Sequence, residues 1–241
     1  MPWIEIDHAQ LPDGEVMTLR RNGDAYEIRV GLYELMSSRD PASERAMARL
    51  VAHRLGRPVG SALIGGLGLG YTLRALLDIT GPQTAITVAE VVPAVVAWNR
   101  AALADLAGRP LEDRRVRVFT GDVAAAMRWE KYDVILLDTD NGPEAVLFAG
   151  NGALYQAAGL ALIRGALTPG GICCVWAADP SEGFEKVLKT ANFEVERQDL
   201  CVAGRLCHTL YVISPEVRQQ HTKLPEREAH SGACKAAQAS L

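Results

Sequence analysis

Three carboxylates and a cluster of glycines stand where apolar runs give way to loops, and these are the places on the chain where chemistry could be done. Residues 61–64, Ser-Ala-Leu-Ile, empty into Gly65-Gly66-Leu67-Gly68-Leu69-Gly70, and residues 71–78 then take up helical periodicity. Glycines in such a strand-to-helix turn let the backbone adopt positive φ and let a ligand approach without a Cβ in the way, while the helix offers its first amides. The alternative is a tight turn needed only for packing. Glu90, twenty positions past Gly70, ends the next apolar run. There it is either a solvated strand-end acid or a group that accepts hydrogen bonds from ribose hydroxyls. Thr120-Gly121-Asp122-Val123 follows a third run, and Asp122 is either a helix N-cap or an acceptor for a ligand amino group. The fourth and most apolar run, residues 132–137, ends in Asp138-Thr139-Asp140-Asn141-Gly142-Pro143. A partly desolvated carboxylate at such a strand end can orient an amine and accept its proton, which makes Asp138 the candidate acid-base group. Asp140 and Asn141 suit an Asx-type turn and are secondary candidates for substrate contact.

The elements needed to bring these residues together follow from the alternation of patterns. From residue 61 onward strands at 61–65, 85–89, 115–119, 132–137 and 172–177 alternate with helices at 71–78, 93–106, 122–129, 152–167 and 181–190. This predicts an α/β, doubly wound, Rossmann-like sheet of seven strands, in which ligands sit beyond the carboxyl ends. The last two runs, 193–200 and 208–213, have no helix between them and turn at Ala203-Gly204-Arg205, so they form an antiparallel hairpin. Ahead of the main fold, residues 3–11, 15–21 and 25–35 alternate weakly and are separated by Pro12-Asp13-Gly14 and Asn22-Gly23-Asp24, which predicts a small antiparallel β appendage of three strands. A helix over 42–55 then starts behind Asp40-Pro41 and stops at Gly56. The expected organisation is an appendage over 1–37, the α/β domain over 38–214 and a disordered polar tail over 215–241.

Composition narrows the function classes. Hydrophobic residues make up 49% and charged residues 22%, with a net charge of −4, so no basic face offers itself to nucleic acid or to an anionic membrane surface. There is no run of about eighteen apolar residues and no leader-like start, which points to a cytoplasmic protein. The five cysteines, Cys173, Cys174, Cys201, Cys207 and Cys234, show no metal-ligand spacing and suit buried reduced thiols, and no metal is expected. Trp98, Trp129, Tyr132 and Tyr155 could face a bound ring or cation but suit core positions better.

The order of these features, G-G-x-G-x-G, strand-end acid, Gly-Asp, aspartate after the fourth strand, Leu167-Thr-Pro-Gly-Gly171 and a closing hairpin, resembles the class I S-adenosylmethionine-dependent methyltransferase fold. With the β appendage and Tyr132-Asp-Val-Ile-Leu-Leu-Asp138, it is similar to the spermidine synthase branch, the polyamine aminopropyltransferases, over roughly residues 25–213. The resemblance implies that Gly65, Gly66, Gly68 and Gly70 wrap the methionine-derived part of S-adenosylmethionine or its decarboxylated form. It also implies that Glu90 holds the ribose, that Asp122 with Val123 reads the adenine, and that Asp138 is catalytic. The aspartate of the family's G-G-G-D-G-G loop falls on Gly68, which leaves room for a carboxylate. The second acid of its Glu-x-Asp falls on Val92, its second loop aspartate on Asn141 or Asp140, and its Tyr-Gln-Glu on Ala42-Ser43-Glu44, so that Glu44 becomes a substrate candidate. Arg39 and Arg45 flank Glu44, either as a solvated helix face or as a carboxylate-binding pair. The implied function is transfer of an alkyl group, aminopropyl or methyl, from an S-adenosyl sulfonium to a small-molecule amine, in a homodimer by family precedent. The alternatives are a conventional methyltransferase and a non-catalytic cofactor-binding relative.

Overall fold

The structure, a computed structural model of the chain, describes residues 2–11, 14–139, 141–144, 151–202 and 205–215. Pro12 and Asp13, Asp140, Ala203 and Gly204, and the predicted tail from residue 216, including Cys234, lie outside the described residues.

Four strands, β1 (Ile4–Gln10), β2 (Val16–Asn22), β3 (Ala25–Val30) and β4 (Tyr33–Ser37), form an antiparallel meander in sequence order. The sequence predicts three strands here, with residues 25–35 as one. Gly31 divides that run by adopting a φ of +54°, which turns the chain and leaves Leu32 exposed at the tip. α1 (Ala42–Leu55) follows, with Asp40 Oδ1 accepting from the Ala42 amide at 3.0 Å and Gly56 ending it in a left-handed conformation. Its buried stripe, Met47, Ala48, Val51 and Leu55, has helical spacing and faces the main sheet.

The second sheet contains β5 (Ser61–Gly65), β6 (Ala85–Glu90), β7 (Val116–Thr120), β8 (Tyr132–Leu137), β9 (Leu167–Ala177), β10 (Glu194–Val202) and β11 (Arg205–Ser214), in the order β10-β11-β9-β8-β5-β6-β7. The five strands β5 to β9 run parallel, and β11 pairs antiparallel with both β9 and β10. The helices α2 (Tyr71–Ile79), α3 (Pro93–Arg100), α4 (Val123–Ala126), α5 (Ala157–Ala166) and α6 (Glu182–Thr190) connect them. The predicted seven-stranded, doubly wound α/β sheet with its closing antiparallel pair is therefore present.

Central strands bury both faces. Every residue of β8 is buried, with Val134 and Leu136 packed in one core beside α1 and α2, and Ile135 and Leu137 in a second core beside α5 and α6. The meander joins the first core through Leu19 and Ile28, and Trp98 Nε1 of α3 donates to Asp7 Oδ2 of β1 at 2.7 Å. Several elements depart from expectation: β9 begins at Leu167 rather than at 172, and α4 ends at Ala126 rather than at 129. The helix predicted over 152–167 is a 3-10 turn at Asn151–Tyr155 followed by α5, because Gly159 passes so close to Leu154 that a Cβ would lie 2.3 Å from its carbonyl oxygen. The helix predicted over 93–106 ends at Arg100 and continues as turns. No helix among the described residues is long and apolar enough to cross a membrane.

Candidate active site

Strand order reverses between β5 and β8, and in open α/β sheets the crevice beyond the carboxyl ends of such a pair is where ligands bind. The glycine loop leaves β5 at this point and Asp138 leaves β8 beside it. The Asp138 amide donates to the Gly65 carbonyl at 2.9 Å, and a Cβ on Gly66, whose φ is +89°, would lie 2.1 Å from the Asp138 carbonyl oxygen. Gly66 must therefore be glycine for the loop and the Asp138 backbone to touch. A cavity of about 890 Å³ opens in front of them, walled by β4 and the start of α1 on one side and by the ends of β6, β8, β9 and β11 on the others.

Of the predicted loop residues, Gly66 and Gly68 line the cavity. Gly65 packs under it, since its Cβ would meet Val123 Cγ2 at 2.9 Å, and Gly70 begins α2 with its Cβ position 3.0 Å from Asn99 Oδ1. Asn99 Nδ2 donates to the Gly68 carbonyl at 2.8 Å and so ties the loop to α3. Glu90 lines the cavity and accepts from the amides of Leu67 at 2.9 Å and Val92 at 2.8 Å. Burial raises its pKa above the ordinary carboxylate value, and these amides oppose the rise. The amides of Gly68 and Val91 act on it in the same sense, so four backbone donors converge on this carboxylate. Asp122 is the N-cap of α4, accepting from the Ala124 amide at 2.7 Å, and it lines the cavity together with Val123, so both sequence alternatives stay compatible with its position.

Asp138 keeps part of its surface open to the cavity, which is deep enough for desolvation to dominate its titration. Burial, reinforced by the neighbouring charge of Glu44, pushes its pKa up to about 7, against the opposing hydrogen bond donated by Thr72 Oγ1 to Oδ2 at 2.7 Å. Glu44 lines the same cavity and accepts from Ser43 Oγ at 2.7 Å. Asn141 also lines it, its carbonyl taken by the Ala178 amide at 3.0 Å, whereas Asp140 falls outside the described residues. The carboxylates of Glu34, Asp40, Glu44, Glu90, Asp122 and Asp138 face one guanidinium among the described lining residues, that of Arg39. That guanidinium is already 3.7 Å from Glu27 and 4.0 Å from Glu34 and stacks on Trp3. A space of this polarity suits a cation. No group of three or more potential metal ligands occurs among the described residues.

Several lining residues were not anticipated. Thr72 lies two positions past Gly70 and could have been read as a helix-start hydroxyl aimed at the β8 end. Met36 comes from β4, and Trp176 and His208 reach the wall from β9 and β11, their rings 4.8 Å apart. Burial lowers the pKa of His208, while Glu44, Asp40 and Asp179 pull it back up. The aromatics singled out in the sequence do not line the cavity: Trp98, Tyr132 and Tyr155 are buried and Trp129 lies half-exposed against Phe119. Cys173 and Cys174 are buried as expected, but Cys201 is exposed, because β10 is the edge strand of the sheet.

Comparison with solved structures places this architecture. A spermidine synthase from Thermotoga maritima superposes with a TM-score of 0.70 at 17% identity, covering 89% of this chain and 74% of that one. The fold is that of spermidine synthase. A spermidine synthase in complex with the transition-state analogue AdoDATO superposes with a TM-score of 0.67 at 18% identity, over 89% of this chain and 73% of that one. Among curated sequences, the polyamine aminopropyltransferases of Mycobacterium tuberculosis and Mycobacterium bovis are 33% identical over 128 residues. That match takes in 50% of this chain and 23% of each relative, so the chain aligns with about a quarter of the length of these proteins. No family model matches the chain.

Proposed function

We propose that this chain is a spermidine synthase-like transferase that moves an aminopropyl group from decarboxylated S-adenosylmethionine to a small-molecule amine, with Asp138 as the proton acceptor. The observation that carries this reading is the position of Asp138, a desolvated carboxyl at the switch point of the sheet, inside an acid-lined cavity and against a glycine loop. The spermidine synthase fold and the aminopropyltransferase relatives support the same reaction class.

The residues present fit such a ligand. Gly66 and Gly68 put bare backbone on the cavity wall, Glu90 lies where ribose hydroxyls would reach it, and Asp122 with Val123 forms the wall where an adenine would lie. When bound, the cofactor supplies an electrophilic carbon next to a sulfonium. The protein's part is alignment and proton handling: Glu44 and Asp138 draw a protonated amine into the cavity, and an Asp138 oxygen takes the proton that nitrogen must lose. The transferred group is the decarboxylated cofactor's because a carboxylate would enter a space rich in acids whose one lining guanidinium among the described residues is already paired.

Calorimetric titration with decarboxylated S-adenosylmethionine, S-adenosylmethionine and S-adenosylhomocysteine, followed by a transfer assay with putrescine, tests this. The expected result is tightest binding of the decarboxylated form and aminopropyl transfer that Asp138→Asn abolishes. Preference for intact S-adenosylmethionine would return the methyltransferase reading, and no binding of any of the three would remove the cofactor assignment.

A further inference from the structure

We propose that Thr72 is the positioning residue for Asp138: its hydroxyl holds Oδ2, leaves Oδ1 to meet the attacking amine, and so sets the pH at which the carboxyl becomes a base. This inference rests on the transferase reading for its use in turnover, but the hydrogen bond and its effect on Asp138 belong to the protein alone.

The geometry restricts Asp138 from two directions. Its backbone is fixed by the Gly65 carbonyl and by the close passage of Gly66, so the side chain leaves β8 from a defined point. Its carboxyl is then met by Thr72 Oγ1 at 2.7 Å, and among the described residues Thr72 is its hydrogen-bond donor. Thr72 is itself buried, and it is the second residue of α2, whose start is held by the glycine loop. The fixed helix start thus places the hydroxyl at the cavity wall within reach of Asp138. One carboxyl oxygen is occupied by a donor and the other remains for the proton to be transferred, which is the arrangement a general base needs. A valine at position 72 would keep the shape and lose only this bond.

Among the described residues, the titratable groups that act on Asp138 come from two other elements. Glu44 of α1 is a like charge that disfavours ionisation, and Cys174 of β9, whose thiol burial pushes far above its ordinary pKa, stays neutral. Thr72 is the one group of the three that favours the carboxylate. A hydrogen bond to an ionised group is strong enough that removing it should move the Asp138 midpoint up by about one pH unit.

The test follows Asp138 itself. The carboxyl band of the ligand-free protein is titrated by isotope-edited infrared spectroscopy in the wild type, Thr72→Val and Thr72→Ser, with Asp138→Asn assigning the band. Alongside, kcat/KM for aminopropyl transfer is measured from pH 6 to 10. The inference expects the valine variant to titrate about one unit higher, the serine variant to stay at the wild-type midpoint, and transfer by the valine variant to fall about fivefold at pH 7 and recover above pH 9. An unmoved or lowered midpoint, a loss of activity equal at every pH, or a shift that serine fails to restore would overturn it. If Thr72→Val does not fold, Thr72→Ala carries the same measurement. Because the spectroscopic midpoint needs no turnover, a wild type that transfers nothing would refute the functional reading while the Thr72 result is still decided.

Discussion

Replacing Asp138 by asparagine should make the ligand-free protein more stable at pH 8 than the wild type, while the two should match only below about pH 4, where the carboxyl is protonated in both states. In the unfolded chain the carboxyl titrates near its ordinary 3.8, and in the folded protein near 7. Between those values the folded state holds a proton that the unfolded state has released, so stability falls as pH rises through the window and the loss is complete above pH 7. A separation of roughly three pH units at about 1.4 kcal/mol each sets a ceiling of about 4 kcal/mol, and water entering the cavity lowers the realised figure. For a chain of this size that ceiling corresponds to roughly 8–16 °C in Tm. Asn keeps the shape, can still accept from Thr72 Oγ1 and never ionises. The assay is thermal and urea unfolding of both proteins from about pH 4 to 8, reading the difference between them at each pH. The difference cancels His208, whose lowered pKa makes stability rise with pH, and Glu90, whose raised pKa makes it fall. A difference that is flat across the window, or a variant less stable than the wild type at pH 8, would show that Asp138 is not held protonated by burial.

At the opposite ends of the strands, Asp133 accepts from Arg57 and Thr168 at 2.7 Å each, from the Gly60 amide at 2.8 Å and from the Ser61 amide at 3.2 Å. Burial opposes its ionisation, but these donors outweigh it and hold the carboxyl well below the usual carboxylate range. Asp133→Ala should cost about 3 kcal/mol in urea unfolding at pH 7, with cofactor affinity unchanged, and a loss under about 1 kcal/mol would contradict that role. Asn99→Leu removes the donor to the Gly68 carbonyl, and the loosened loop should bind the cofactor about tenfold more weakly by calorimetry. Undiminished affinity would mean that the loop holds its shape without α3.

What the sequence made legible was carried by local signals. The glycine turn, the strand-end acids and the two interleaved cores follow from residue type and short-range period, because a parallel strand buried on both faces must be apolar throughout and must end in a polar loop. Those signals led to Asp138, Glu90 and Asp122. They could not lead to Trp176 or His208, which meet only because β11 inserts antiparallel between β9 and β10, a pairing fixed by tertiary order. Strand and helix ends were misplaced where a glycine acts through space: Gly31 splits β3 from β4, and Gly159 separates α5 from the turn before it.

Gly68 shows how far the local pattern reaches. Read along the chain, it is a small residue where the resembling family has an aspartate, and its absence of charge looks like a property of the loop. In the structure its φ is +53°, and a Cβ there would lie 2.9 Å from Met36 Sδ, contributed by a different sheet. The methionine thioether fills the space a side chain at position 68 would enter, so glycine and methionine form one uncharged wall. An aspartate at position 68 would be strained in its backbone and would require Met36 to give way. The negative charge of the cavity consequently comes from Glu34, Asp40 and Glu44, on β4 and the segment entering α1, and from the strand-end acids opposite. Under the proposed function, discrimination between a cationic and a carboxylate-bearing ligand would depend on the meander and α1 as much as on the glycine loop. That dependence couples residues about thirty positions apart in sequence and cannot be read from the loop's spacing alone.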